Sequence, residues 1–175
     1  MYRFILVMGA LLLAVGVASA TVVTLPNETQ TTTFTATVSE QANVAVPAGV
    51  AFAVTNVSAS TVSSGQSVSA TVIVLADGKK LRIEIAPNAA AFTGGTVTWA
   101  ASDISWNAAT SWTGGTGNAA TMSATPGTYV KIVDMTSANA PTVSTTTLVF
   151  TLAAKATVDR AGAHTLACTW KFSSF

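Results

Sequence analysis

The sequence has few of the residues on which catalytic and metal sites depend. It contains one cysteine and one histidine, and charged residues make up 9% of the chain. A single cysteine, Cys168, excludes a disulfide within the subunit. A single histidine, His164, excludes sites that need two imidazoles, and no HExxH or paired-cysteine spacing is present. We therefore predict a protein that is not an enzyme and that binds no cofactor or metal.

The few charges are also balanced, with 8 Lys and Arg residues against 7 Asp and Glu residues. The one basic cluster, Lys79, Lys80 and Arg82, is flanked by Asp77 and Glu84. Nucleic acid binding needs a clustered positive surface, so we exclude it as a function. A surface with so few charges offers little resistance to self-association. The composition thus favours a protein that assembles with its own copies.

Residues 1–20 have the three regions of a secretory signal peptide. Arg3 supplies the positive start, residues 4–17 are apolar, and residues 18–20 form a small-residue cleavage site. The apolar stretch is shorter than the ~20 residues that a membrane-spanning helix needs. We predict contact with the membrane only during export, and a mature protein that is secreted, extracellular or on the cell surface.

Several short stretches alternate apolar and polar residues, which is the pattern of β-strands with one buried face. In residues 31–38 the apolar positions are Phe34, Ala36 and Val38. The other stretches are residues 50–54, 68–74, 81–85, 129–133 and 145–152. The pair Asp77-Gly78 is typical of a tight turn, so we predict a hairpin that joins residues 68–74 to residues 81–85.

Short strands with turn residues between them predict an all-β fold, a single antiparallel immunoglobulin-like β-sandwich. No internal repeat or clear linker divides the chain. We assign residues 1–20 to the signal peptide, 21–30 to an N-terminal extension and 31–175 to the sandwich domain.

Residues 162–175 carry the clearest strand pattern in the chain. Leu166, Cys168, Trp170 and Phe172 alternate with polar or small residues, so we expect these side chains on one face of a strand. On that face Cys168 is expected to be a buried, inert thiol, with an intersubunit disulfide as the alternative.

This stretch resembles the C-terminal strand of the subunits of chaperone–usher pili and related secreted bacterial sandwich proteins. Those subunits carry a glycine fourteen residues from the end, which Gly162 matches, and alternating apolar residues, which Cys168, Trp170 and Phe172 match. They also carry a penultimate aromatic residue, where this chain has Ser174, and a disulfide that this chain lacks.

The resemblance implies assembly by donor-strand exchange, in which an N-terminal extension of one subunit completes the sandwich of the next subunit. The donor residues in the extension would be Val22, Val23 and Leu25. The receiving sheet would be lined by apolar residues of the final strand, Leu166, Trp170 and Phe172. We accordingly predict a structural subunit of an extracellular filament, pilus or surface coat, a homopolymer of this chain.

Three tryptophans leave a second function open. Trp99, Trp106 and Trp112 lie among turn residues in a Gly-rich part of the chain. Exposed aromatic rings on a β-sandwich can stack on sugar faces, whereas buried rings contribute apolar area to the core. The alternative function is therefore a secreted carbohydrate-binding module with a glycan as its partner.

Overall fold

The computed structural model describes Val22, residues 29–108 and residues 111–175. The predicted signal peptide and most of the predicted extension lie outside this range. Within it, Val38–Phe175 form one compact unit by their contacts.

Eleven β-strands form in the described residues, together with one 3₁₀ turn at Ala101–Asp103 and no α-helix. The strands are β1 (Gln41–Ala45), β2 (Thr61–Val62), β3 (Gln66–Val74), β4 (Leu81–Pro87), β5 (Ile104–Trp106), β6 (Gly115–Gly117), β7 (Ala120–Thr121), β8 (Val130–Met135), β9 (Thr142–Leu148), β10 (Phe150–Leu152) and β11 (Cys168–Ser174). Every pairing between these strands is antiparallel. None of the described residues belongs to a helix long and apolar enough to cross a membrane.

The strands form three sheets, ordered β1–β3–β9, β2–β10–β5–β7 and β11–β4–β8–β6, which we call the first, second and third sheets. Val149 alone separates β9 from β10, so one length of chain passes from the first sheet into the second. The strands thus divide into three groups rather than the two of the expected sandwich.

One hydrophobic core unites the three sheets. Its largest fully buried side chains come mainly from β3, β4, β8 and β9, strands of the first and third sheets: Ile83, Ile132, Leu148, Val68, Val133 and Val143. Burial of an aliphatic side chain of this size contributes roughly 1.5–3 kcal/mol. The predicted fold class, all-β with antiparallel sheets in a sandwich-like arrangement, is confirmed.

The hairpin predicted at Asp77 and Gly78 does not form, although the turn itself does. Gly78 has a φ of 75°, and the Lys79 N–H donates to the Ala76 carbonyl at 3.1 Å. However, β3 pairs with β1 and β9, while β4 pairs with β11 and β8. Because both edges of β4 are occupied, the turn carries the chain across to the third sheet instead of back along β3.

Two stretches with strand-like alternation join no sheet, so their predicted strands are wrong. Residues 31–38 have no regular secondary structure, and Phe34 is 92% exposed. Residues 50–54 also lie outside the sheets, although their alternate apolar side chains are half-buried against the core: Val50, Phe52 and Val54. The alternation at 50–54 thus correctly indicated the buried face but not the hydrogen-bonding partner.

A bulge in β3 contains a strained residue. The register between β1 and β3 shifts between the pairs Gln41–Val74 and Asn43–Thr71. Within this shift Val72 has a φ of 51°, in the left-handed region, and is 61% exposed. A non-glycine residue in this region costs roughly 1–2 kcal/mol, and a β-branched one is rare there.

We predict that Val72→Gly raises the free energy of unfolding by about 1 kcal/mol, because loss of the Cβ relieves the strain. Removal of this side chain loses little buried apolar contact, because the side chain is mostly exposed. Val74→Gly, at a regular position of the same strand, is the control and should lower stability. Urea unfolding measures the free energy of unfolding of the parent and of both variants. Equal losses in the two variants would contradict the assignment of strain to Val72.

Ion pairs cover the outer face of the third sheet. Arg82 Nε and Nη2 donate to the two carboxylate oxygens of Asp134 at 2.7 and 3.0 Å. Lys131 Nζ donates to the same carboxylate at 3.0 Å. The hydrogen bonds from Arg82, and secondarily from Lys131, hold the pKa of Asp134 below its usual range against the opposing effect of burial.

This lowered pKa predicts how stability depends on pH. A carboxyl whose pKa is depressed by folding stabilises the protein above its unfolded pKa, and this stabilisation is lost as the pH falls through the folded pKa. Asp134→Asn should therefore be less stable than the parent at pH 7, and the difference should shrink below pH ~4. Chemical unfolding across this range tests the prediction, with Asp77→Asn, in the exposed turn, as control. A difference that is constant with pH would contradict it.

Candidate assembly groove

The sandwich is bridged on one side and open on the other. On the bridged side, the backbones of Thr113 and Ser144 exchange hydrogen bonds of 2.8 and 3.0 Å, so the chain entering β6 links the third sheet to β9. On the open side, β11 is the edge strand and is bonded only to β4 among the described strands. The other edge of β11 therefore presents backbone N–H and C=O groups without a strand partner.

A cleft of about 970 Å³ lies beside this free edge, and we call it the groove. Its apolar lining comes from strands of both the second and third sheets, including Ile85, Ile104, Phe150, Leu152 and Trp170. Residues 47–54 and 158–168 form its rim. The groove thus lies between the second and third sheets, where a further strand would cover the core.

The rim segment 47–54 follows the groove without joining a sheet. Among the described residues it makes one backbone hydrogen bond, from the Val54 N–H to the Phe52 carbonyl at 3.1 Å. Val50, Phe52 and Val54 all line the groove. On this side of the groove too, most backbone N–H and C=O groups make no hydrogen bond to a described strand.

The opposite rim leads into β11. Gly162, the glycine of the resemblance, lies in this rim with a φ of 126°, where an added Cβ would meet open space. Glycine adopts this conformation without strain. Thr165 then exchanges backbone hydrogen bonds of 2.8 and 3.2 Å with Thr93, which fixes the rim before β11 begins at Cys168.

Of the three predicted receiving residues, Trp170 and Phe172 lie in β11, whereas Leu166 precedes the strand, in the rim. Leu166 and Trp170 line the groove, and Phe172 lines a second cleft of about 370 Å³ at the far end of the strand. All three are half-buried and pack against the core. Of the predicted donors, Val22 is fully exposed, whereas Val23 and Leu25 lie outside the described residues.

Cys168 and His164 are engaged within the groove wall. Cys168 Sγ lies 3.6 Å from Met122 Sδ, and burial raises the pKa of its thiol, which disfavours the reactive thiolate. The His164 ring nitrogens lie 2.7 Å from Thr98 Oγ1 and 2.9 Å from the Arg160 carbonyl. In the described parts of the chain, no three His, Cys, Asp or Glu side chains are grouped to hold a metal ion.

Trp99 and Trp106 are core residues, as in the packing interpretation, and neither offers the exposed ring that the alternative of sugar binding needs. They are 5% and 4% exposed. Their indole N–H groups donate to the carbonyls of Ala153 at 2.9 Å and Asn118 at 2.8 Å. The physical reason is that this small sandwich uses the large apolar area of both rings, while loop carbonyls satisfy the polar N–H groups.

Trp112 is half-buried rather than exposed. It lies over Gly117, where an added Cβ would be 2.8 Å from the indole nitrogen. Glycine thus permits the close approach of the ring to β6. The three tryptophans do not form a common exposed surface.

Ser174, where the resemblance leads us to expect an aromatic residue, lies at the far end of β11. Its hydroxyl donates to Glu40 Oε2 at 2.6 Å, and Glu40 Oε1 accepts a hydrogen bond from the Ala76 N–H at 2.8 Å. The hydrogen bond from Ser174, and then that from Ala76, lowers the pKa of Glu40. Sequence reasoning missed Glu40, which ties the entry of β1 to the end of β11.

The open groove predicts binding of a dye that fluoresces in apolar clefts. Leu166→Asp should reduce the fluorescence of anilinonaphthalene sulfonate severalfold, because it places a charge in the groove wall. Val62→Asp is the control, since Val62 is exposed and lies outside the groove lining. Both variants should keep the circular dichroism spectrum of the parent. Equal dye binding by Leu166→Asp and the parent would mean that the groove is closed in solution.

Among the edge strands of the described sheets, β11 is the one whose residues Cys168 and Trp170 line the groove. No protein-family model, curated protein or solved structure matches the chain.

Proposed function

We propose that the protein is a non-enzymatic structural subunit that joins its own copies into an extracellular filament, pilus or surface coat. The main support is the position of the groove directly beside the free edge of β11. A strand added there gains backbone hydrogen bonds from β11 and buries alternate side chains in the groove. These are the two contributions that make strand addition both stable and specific.

The chemistry of the groove favours a polypeptide strand over a small polar ligand. Its floor is built from aliphatic and aromatic side chains. Small-molecule sites combine an apolar wall with a few convergent polar groups. Here the polar groups of Asp159, Arg160 and His164 lie in one rim segment, and His164 is already hydrogen-bonded within it.

The sequence of β11 has few of the features that usually prevent strand addition. Soluble proteins protect an edge strand with charged residues, proline or a covering loop. β11 has the sequence CTWKFSS, with Lys171 as its one charge. Lys171 Nζ is bound to Glu84 Oε2 on the neighbouring strand at 3.2 Å, and it lies 5.2 Å from the Tyr129 ring. The charge is thus engaged across the sheet face rather than held at the edge.

Export and location at the cell surface belong to this proposal as well. They are supported by the signal-peptide pattern of residues 1–20 and by the low charge of the remaining chain. Burial between assembled subunits would add stability to an exported domain that has no disulfide of its own.

Deletion of residues 21–38 from the mature protein should leave folded monomers, because β1 begins at Gln41. Each truncated subunit keeps the groove but loses the N-terminal segment that would fill a neighbour's groove. Negative-stain microscopy and analytical ultracentrifugation compare it with the intact mature protein. Filaments of normal length from the truncated protein would refute strand exchange through the N-terminal segment.

A mixing experiment tests the direction of assembly. A truncated subunit can receive a strand but cannot donate one, so a small fraction of it should shorten the filaments of the intact protein. The truncated protein with an additional Leu166→Asp substitution is the matched control, because its groove is blocked. Equal shortening by both proteins would contradict capping through the groove.

A further inference from the structure

We propose that the strand filling the groove is residues 31–38 of a second copy of the chain, paired antiparallel to β11. This inference rests on the proposed function and identifies the donor within it. It assigns the donor role to a segment that the sequence alone placed inside the domain.

The first argument is the side-chain pattern of the segment. Phe34, Ala36 and Val38 alternate with threonines, which matches a strand that buries one face. Yet the segment joins no sheet, and Phe34 and Val38 are both strongly exposed. A strand pattern with an exposed phenylalanine indicates a face to be buried, and none of the described residues of the same subunit covers it.

The second argument is the match of length and charge. Residues 31–38 span about 26 Å when extended, and the 7 residues of β11 span about 23 Å. Residues 29–39 carry no charge, so the segment enters an apolar groove without the cost of burying one.

The third argument concerns direction and explains why the donor comes from a second copy. Glu40 is bound to Ser174, so the chain before Glu40 starts from the end of β11 in its own subunit. If residues 31–38 turned back along that strand, they would run parallel to it. All eight ladders between the described strands are antiparallel. A segment from another copy has no such restriction and can pair in the antiparallel direction.

The earlier donor candidate, residues 22–25, fits this groove less well. It covers only about 13 Å when extended. Pro26 then interrupts the ladder, because proline has no backbone N–H to donate. Residues 31–38 contain no proline.

Three variants of the mature full-length protein test the donor. Phe34→Asp should abolish assembly, because it introduces a charge on the face that enters the groove. Thr35→Asp places the same charge on the opposite face and should assemble. Leu25→Asp tests the earlier candidate and should also assemble. Negative-stain microscopy records filaments, and thermal unfolding confirms that the exposed substitutions leave the domain folded.

The native cysteine allows a direct test of the contact. Cys168 lines the groove, so a second cysteine at Ala36 should form an intersubunit disulfide with it under a mild oxidant. An alkaline buffer is needed because burial raises the pKa of the Cys168 thiol. Ala36→Cys should give a ladder of covalent multimers on a non-reducing gel, whereas Thr35→Cys should not. A mixture of Ala36→Cys/Cys168→Ser with the parent should stop at covalent dimers.

The outcomes separate this donor assignment from the proposed function. If Phe34→Asp forms filaments and Leu25→Asp does not, residues 31–38 are not the donor, although assembly through the groove stands. If Ala36→Cys gives a disulfide-linked monomer without a ladder, the segment fills its own groove and the second-copy assignment is overturned. If the intact mature protein forms no assembly under any condition, the proposed function and the donor assignment fall together.

Discussion

The hydrogen bonding of β4 on both of its edges determines much of this structure. β11 pairs along one edge over seven residue pairs, and β8 pairs along the other. With both edges filled, β3, which leads into the turn at Gly78, has to lie in a different sheet from β4. Consecutive strands therefore build two layers. The alternate side chains of β4 then form the centre of the core between these layers. Ile83, its middle inward residue, is completely buried.

The same arrangement leaves β11 at the edge, with half of its hydrogen-bonding capacity unused among the described residues. An edge strand is ordinarily a liability, because any exposed strand can add to it. Here the edge adjoins an apolar groove lined from two sheets, so strand addition would be selective for a segment with the correct side-chain period. A free edge strand beside such a groove is therefore consistent with a role in ordered assembly.

The success of sequence reasoning depended on how local each feature is. The alternation around Trp170 and Phe172 correctly predicted β11, because one face of that strand packs on the core and the other meets solvent. The partner of a strand is not a local property. The Asp77-Gly78 turn therefore suggested a hairpin, although a strand about ninety residues further along the chain takes the edge of β4.

The positions of glycine and tryptophan residues were also hard to predict, because their roles depend on contacts with residues distant in the sequence. Gly115 and Gly117 belong to the Gly-rich stretch of turn residues around the tryptophans, yet they lie in β6, where an added Cβ would be 2.7 Å from Val133 and 2.8 Å from Trp112, respectively. Their small size serves close packing rather than a turn. Trp99 could not be assigned to the core from its neighbours in sequence, because the carbonyl that satisfies its N–H belongs to Ala153. Such contacts exist only once distant loops have come together.

The hydrogen bond between Ser174 and Glu40 has a mechanical consequence for the proposed polymer. Only Ser39 separates Val38, the last residue of the proposed donor, from the anchored Glu40. A connection this short has almost no freedom to bend or swivel, in contrast to a flexible linker whose reach grows with its length. Successive subunits would therefore keep one fixed orientation, and the fibre would behave as a stiff rod with a regular helical repeat.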